Sequence, residues 1–124
     1  MADVPNLYRV ILQVSDLDKA AQFYANLLGT KGRRIGGGRH YLDCGSVILA
    51  LVDATSDGEK TRPIPDYLYF SVKDLEKLHA RAAALGCLSR DRMHDEPAGD
   101  IVKRPWGERS FYATDPSGAI SCAL

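Results

Sequence analysis

The sequence predicts an α+β fold in which one domain, residues 1–124, is assembled from two copies of a single strand–helix–strand unit. Three observations predict it. Leu12-Gln-Val-Ser-Asp-Leu-Asp-Lys19 recurs fifty-eight positions later as Phe70-Ser-Val-Lys-Asp-Leu-Glu-Lys77. Each copy runs into an amphipathic helical pattern that stops at a glycine. Each helix is followed by strand-like runs around a turn. A unit of this size is too small to hold a full core, so the two copies are expected to bury their sheets against each other.

The elements follow in order. The stretch that carries Arg9, Ile11 and Gln13 reads as a strand leading into the first helix. Asp16 then stands where a carboxylate oxygen can accept from the unpaired amides of a first helical turn. Leu17, Ala20, Ala21, Phe23, Tyr24, Leu27 and Leu28 repeat at helical spacing, and Gly29 suits the left-handed residue that ends a helix. Arg39 to Asp43 and Val47 to Val52 read as strands around the turn Cys44-Gly45-Ser46, after a flexible tip at Gly36-Gly37-Gly38. The second copy repeats the order. Asp74 caps a helix carrying Leu75, Leu78, Ala82 and Leu85, and Gly86 stops it. Arg109 to Thr114 is a strand, Asp115-Pro-Ser-Gly118 is a turn with Pro at its second position, and Ala119 to Leu124 is a last strand. Residues 7–53 and 66–124 are the two units, and the Thr, Ser, Asp, Gly and Pro of 54–65 make a linker.

Composition narrows the function. Sixteen basic against sixteen acidic residues give no long-range attraction for polyanions, so no nucleic-acid partner is expected. The longest apolar run, Val47 to Val52, is far short of the roughly 20 residues that span a bilayer, and the first residues lack signal-peptide character. The expectation is a cytoplasmic protein without a membrane partner. Cys44, Cys87 and Cys122 are an odd number without a C-x-x-C pair, which reads as three reduced thiols.

Three stretches together resemble the glyoxalase/bleomycin-resistance/extradiol-dioxygenase superfamily, also called the vicinal oxygen chelate superfamily. They are Val14-Ser-Asp-Leu-Asp-Lys-Ala-Ala-Gln-Phe-Tyr24 with Leu28-Gly29, Phe70-Ser-Val-Lys-Asp-Leu75, and Pro105-Trp-Gly-Glu-Arg-Ser-Phe-Tyr-Ala-Thr-Asp-Pro-Ser-Gly118. The resemblance implies paired βαβββ modules with curved mixed sheets around a cleft, and a homodimer with clefts across modules or subunits. It also implies metal-ligand positions: a His or Gln five residues before the Val of each V-x-D-L element, and a Glu on the last strand of a module. Here those positions hold Arg9, Tyr67 and Cys122. A permanently charged guanidinium opposes a divalent ion, so neither metal nor other cofactor is expected.

Alternation on a strand puts Arg9 with Ile11 and Gln13, and Tyr67 with Tyr69 and Ser71, on one face each. If the family's cleft is present, these side chains line it and suit a small organic ligand that is anionic or aromatic. A buried ion pair for Arg9, and simple packing for the tyrosines, fit the same residues. Trp106 reads either as a wall at the cleft mouth or as a plug for the sheet end, and Cys122 as a small buried thiol in place of a carboxylate. The candidate ligand-binding set is Arg9, Gln13, Tyr67, Tyr69, Trp106 and Cys122. The expected function is metal-free sequestration in the manner of bleomycin-resistance proteins. The alternatives are a lyase, isomerase or dioxygenase of the same fold with a non-standard site, and a scaffolding module without a working cleft.

Overall fold

A computed structural model of the chain describes residues 5–53, 67–93 and 95–124. The expected linker, 54–65, and His94 lie outside the described residues. The first half contains β1 (Arg9–Val14), α1 (Leu17–Leu28), β2 (Arg33–Ile35), β3 (Arg39–Cys44) and β4 (Val47–Asp53). The second contains β5 (Leu68–Phe70), α2 (Leu75–Ala84), β6 (Arg92–Met93), β7 (Glu96–Pro97), β8 (Val102–Lys103), β9 (Arg109–Thr114) and β10 (Ile120–Ala123). The strands form two four-stranded mixed sheets, ordered β1-β4-β3-β2 and β5-β10-β9-β8, with β6 and β7 as a separate ribbon. In each sheet the strand before the helix pairs in parallel with the last strand, β1 with β4 and β5 with β10, while the remaining ladders are antiparallel.

The local signals act as the chemistry requires. The Asp16 carboxylate accepts from the Lys19 amide at 3.1 Å, and Asp74 accepts from Lys77 at 3.0 Å. Gly29 ends α1 with φ of 77°. The second helix stops one residue earlier than its apolar pattern, at Ala84; Leu85 is still right-handed, and the positive φ falls on Gly86. The ribbon strands β6 and β7 are absent from the sequence expectation, and β8 is implied by the βαβββ module without being located, because two residues cannot express a period of two.

Helix α1 joins the halves. Its buried face (Leu17, Ala20, Ala21, Tyr24) packs on Leu12 and Val14 of β1, Leu42 of β3, and Leu49 and Leu51 of β4. Leu27, one turn after Tyr24, leaves that cluster for the second core, with Leu75, Leu78, Phe111 and Ala123. In return Ala119, from the second half, completes the first core. The tie is also polar. The buried Tyr24 hydroxyl donates to Asp115 Oδ2 at 2.6 Å, and Asp115 Oδ1 accepts from the amides of Ser117 and Ala119 at 2.8 and 2.9 Å. Asp115 therefore shapes the Asp-Pro-Ser-Gly turn from inside while anchoring it to the first half.

Burial first, then the neighbouring Asp115 charge, raises the Tyr24 phenol above its ordinary range. Tyr24 therefore stays protonated in the native state where an unfolded tyrosine ionises. Its contribution is complete below about pH 10 and is lost above it, at up to about 1.4 kcal/mol per pH unit. Tyr24→Phe leaves a carboxylate oxygen without its donor in a buried place, and a loss of about 1–3 kcal/mol is expected in urea denaturation at pH 7. The variant should also show a shallower fall of stability above pH 10. An unchanged midpoint would mean the bond is dispensable.

Candidate functional site

Each sheet has a helix-covered face and an open one. On β1 the alternation is clear: Leu12 and Val14 are buried, whereas Ile11 is 50% exposed. The register places Ile48, Ala50 and Val52 beside Arg9, Ile11 and Gln13, with Arg39, Tyr41 and Asp43 next on β3. On the second sheet the same reasoning puts Tyr69, Cys122 and Tyr112 in one row of the open face. Tyr69 is 56% exposed, whereas Tyr112 and Cys122 are almost fully buried beneath it.

The open face of the first sheet carries an ordered cation. Arg9 donates to the Tyr41 hydroxyl at 3.2 Å, and its guanidinium lies 5.3 Å from the Tyr8 ring centre and 5.6 Å from that of Tyr41. Arg33 meets the same Tyr41 ring at 5.8 Å and pairs with Asp43. Among the described residues Arg9 has no ion pair, and it is held by rings on an exposed position. The other basic residues of this hairpin are partly neutralised. Arg34 bonds Asp18 at 2.7 Å, and His40 Nε2 meets the Lys31 carbonyl at 2.9 Å.

The open face of the second sheet is aromatic. Tyr67 packs edge-on against Tyr112 with ring centres 5.6 Å apart. Burial is the main reason the Tyr112 phenol is raised, helped by its hydrogen bond with Tyr69 and by Cys122. Burial also pushes the Cys122 thiol up, against the lowering effect of hydrogen bonds from Ser110 and Tyr112 and the charge of Arg104. Cys122 is a buried neutral thiol here, not a poised nucleophile. Trp106 is half exposed at the β8–β9 turn and donates from its indole nitrogen to Glu108 Oε1 at 2.8 Å.

Of the six sequence-predicted residues, the fold gathers Tyr67, Tyr69 and Cys122 around Tyr112, and places Arg9 and Gln13 on the other sheet's open face. Among the described residues, the polar and ring contacts of Arg9 are with Tyr8 and Tyr41, in the first half. Sequence reasoning missed Tyr41, Tyr112 and Arg104. Tyr41 and Tyr112 sit at alternate positions of recognised strands, which was a usable signal; Arg104, in Lys-Arg-Pro-Trp, carries none. A cavity of about 640 Å³ opens where the β3–β4 hairpin meets β5. Val10, Leu28, Leu49, Phe70 and Val72 give it a mainly apolar wall, which Tyr67 and Tyr69 join.

The positions that the resemblance implies for metal ligands are related by register. Cys122 pairs with Tyr69, and its counterpart in the first sheet, opposite Ile11, is Ala50. The four places thus hold a guanidinium, a methyl group, a phenol and a buried thiol. That donor set does not fit a divalent ion, which takes imidazole nitrogen, carboxylate oxygen or thiolate in converging sets of three or more. Among the described residues no group of three His, Cys, Asp or Glu side chains converges.

Two mixed sheets of the β1-β4-β3-β2 type, each backed by one helix, define the paired βαβββ class. The chain belongs to the glyoxalase/bleomycin resistance protein/dioxygenase superfamily, whose sequence profile matches residues 6–120. It is 29% identical over 124 residues to metallothiol transferase FosB of Lysinibacillus sphaericus (strain C3-41), covering 93% of this chain and 78% of that protein. Among solved structures it is similar to the oxidase ChaP-H2, with a TM-score of 0.77, 24% identity, and 97% and 92% of the two chains covered. It is also similar to a lactoylglutathione lyase from Agrobacterium tumefaciens, with a TM-score of 0.71, 21% identity, and 98% and 94% coverage. No helix among the described residues is long and apolar enough to cross a membrane.

The donor set has a measurable consequence. Cys122→Glu, which installs a carboxylate at the family's position, is expected to remain without stoichiometric Mn, Fe, Ni or Zn after dialysis, because Arg9 and Tyr67 are unchanged. Elemental analysis checks this, and one equivalent of tightly held metal would show that the site needs only the carboxylate.

Proposed function

We propose that this protein binds and sequesters a small organic molecule, without metal, between the open sheet faces of two copies. The observation that carries the reading is the exposure of Ile11, Tyr67 and Tyr69 on those faces, with Trp106 exposed at the β8–β9 turn. A soluble domain gains by covering such side chains, at about 25 cal/mol per Å² of apolar surface removed from water. Both β1 and β5 are also sheet edges among the described strands. A homodimer that sets the first sheet of one copy beside the second sheet of the other covers both features. It leaves a cleft with the ring-held Arg9 on one wall and tyrosines on the other.

Arg9 offers directed donors to an anionic or carbonyl group, and the phenol rings offer stacking surface. Binding of this kind requires no bond to break. The likeness to metallothiol transferase FosB supports small-molecule recognition on this fold, while the guanidinium and thiol at the metal positions separate this chain from a metal-dependent transferase.

Light scattering is expected to give a dimer at micromolar concentration. Ile11→Arg, which puts a charge on the covered face without touching either core, should shift it to monomer with helix content by circular dichroism unchanged. A monomeric native protein, or a dimer indifferent to Ile11→Arg, would refute this arrangement.

A further inference from the structure

Among the described residues one cation is buried, and the proposed cleft leaves it unexplained. Arg104 follows β8 at the base of the β8–β9 turn and is only 2% exposed. Its Nε donates to Ser110 Oγ at 2.9 Å, and its Nη2 donates to the carbonyls of Ser110 and Asp100 at 2.8 and 3.3 Å. These are neutral acceptors. Nη1 is buried and has no hydrogen-bond partner among the described residues. The ion pairs among the described residues use Arg33, Arg34 and Arg109, not Arg104. A guanidinium taken out of water without a counter-charge is costly, and a buried donor without an acceptor adds to that cost.

The position of this cation ties it to the open face. Its guanidinium carbon lies 5.2 Å from the Tyr112 ring centre, and Tyr112 is the ring against which Tyr67 packs. The neighbouring turn carries Trp106 in solvent, and Gly107 beside it has φ of 101° with open space around its α-carbon.

Resting on the reading of the open faces as a ligand cleft, we propose that Arg104 is the charge anchor of that cleft, and that the ligand carries a carboxylate on a flat apolar body. The carboxylate accepts from Nη1 and supplies the missing negative charge. The apolar body lies on Tyr67 and Tyr69, with Trp106 at its edge. The anion reaches Nη1 by displacing the β8–β9 turn, so the environment of Trp106 changes on binding. A charge-assisted bond to a desolvated guanidinium favours an acid strongly over its neutral amide.

Benzoate and benzamide are matched probes, and Trp106 is the sole tryptophan. With the full chain at constant ionic strength, benzoate is expected to change Trp106 emission and raise the melting temperature, with affinity at least about tenfold above that of benzamide. Arg104→Met should abolish that preference, and Arg104→Lys should weaken it. Because a buried substitution can unfold the protein, the wild-type comparison of the two probes and the charge-retaining Arg104→Lys stand as independent readouts. Equal affinity for both probes, or benzoate selectivity intact in Arg104→Lys and Arg104→Met, overturns the inference. Selectivity that survives at Arg104 but vanishes in Arg9→Gln moves the anion to the first sheet; the inference then fails while the cleft reading stands. Binding of neither probe, with no response from Tyr69→Ala, removes both.

Discussion

The hydrogen bond from Tyr24 to Asp115 is the contact on which the arrangement of the two halves turns. It joins the middle of α1 to the turn that launches β10, and β10 is the strand between β5 and β9. Asp115 also holds two amides of that turn, so one carboxylate sets both the exit direction of β10 and its attachment to the first half. The apolar contacts follow the same line. Leu27 enters the second core, Ala119 enters the first, and Phe23 and Leu28 touch both. Two units that could not each bury enough surface become one cooperative body through a shared helix.

This solution covers one face of each sheet more fully than the other. The helices cover Leu12, Val14, Phe111 and Ala123; on the other faces Tyr112 and Cys122 are buried with Ala98, whereas Ile11, Tyr67 and Tyr69 stay exposed within one chain. A β-sheet that is aromatic on an uncovered face is half of a structure in energetic terms. The proposed cleft between copies follows from that geometry, and so does the choice of polar groups within it. Arg9 is kept exposed and oriented by Tyr8 and Tyr41, while Arg104 is kept buried and under-partnered against Tyr112.

The local elements were legible because their signals are short-range. Caps at Asp16 and Asp74, the stop at Gly29 and the alternation of β1 all act through neighbours a few residues away. The departures were legible too: the fifty-eight-residue repeat makes Arg9 and Tyr67 equivalent without coordinates, and the resemblance places Cys122 by its distance from the Asp115-Pro-Ser-Gly118 turn. Arg104 was not. Lys103 and Arg104 are adjacent cations before a proline, and nothing in the chain says that the first is exposed and the second is the best buried arginine among the described residues. Its burial depends on Asp100, Ser110 and Tyr112, brought around it by the turn and by the β9 ladder.

By itself the sequence determined the kind of molecule this is: repeated capped helices, alternating strands and a glycine-bearing turn, which are periodic or nearest-neighbour properties of a chain. Through its resemblance to the superfamily it also implied that a guanidinium, a phenol and a thiol stand where the family's metal enzymes would hold ligands. Only the tertiary structure decided which sheet face each of those groups occupies, that Tyr24 reaches Asp115 across 91 positions of sequence, and that one arginine is buried with a donor unfilled. Contacts of that kind depend on how whole elements pack, and packing is set by the summed fit of many side chains, which no local pattern encodes.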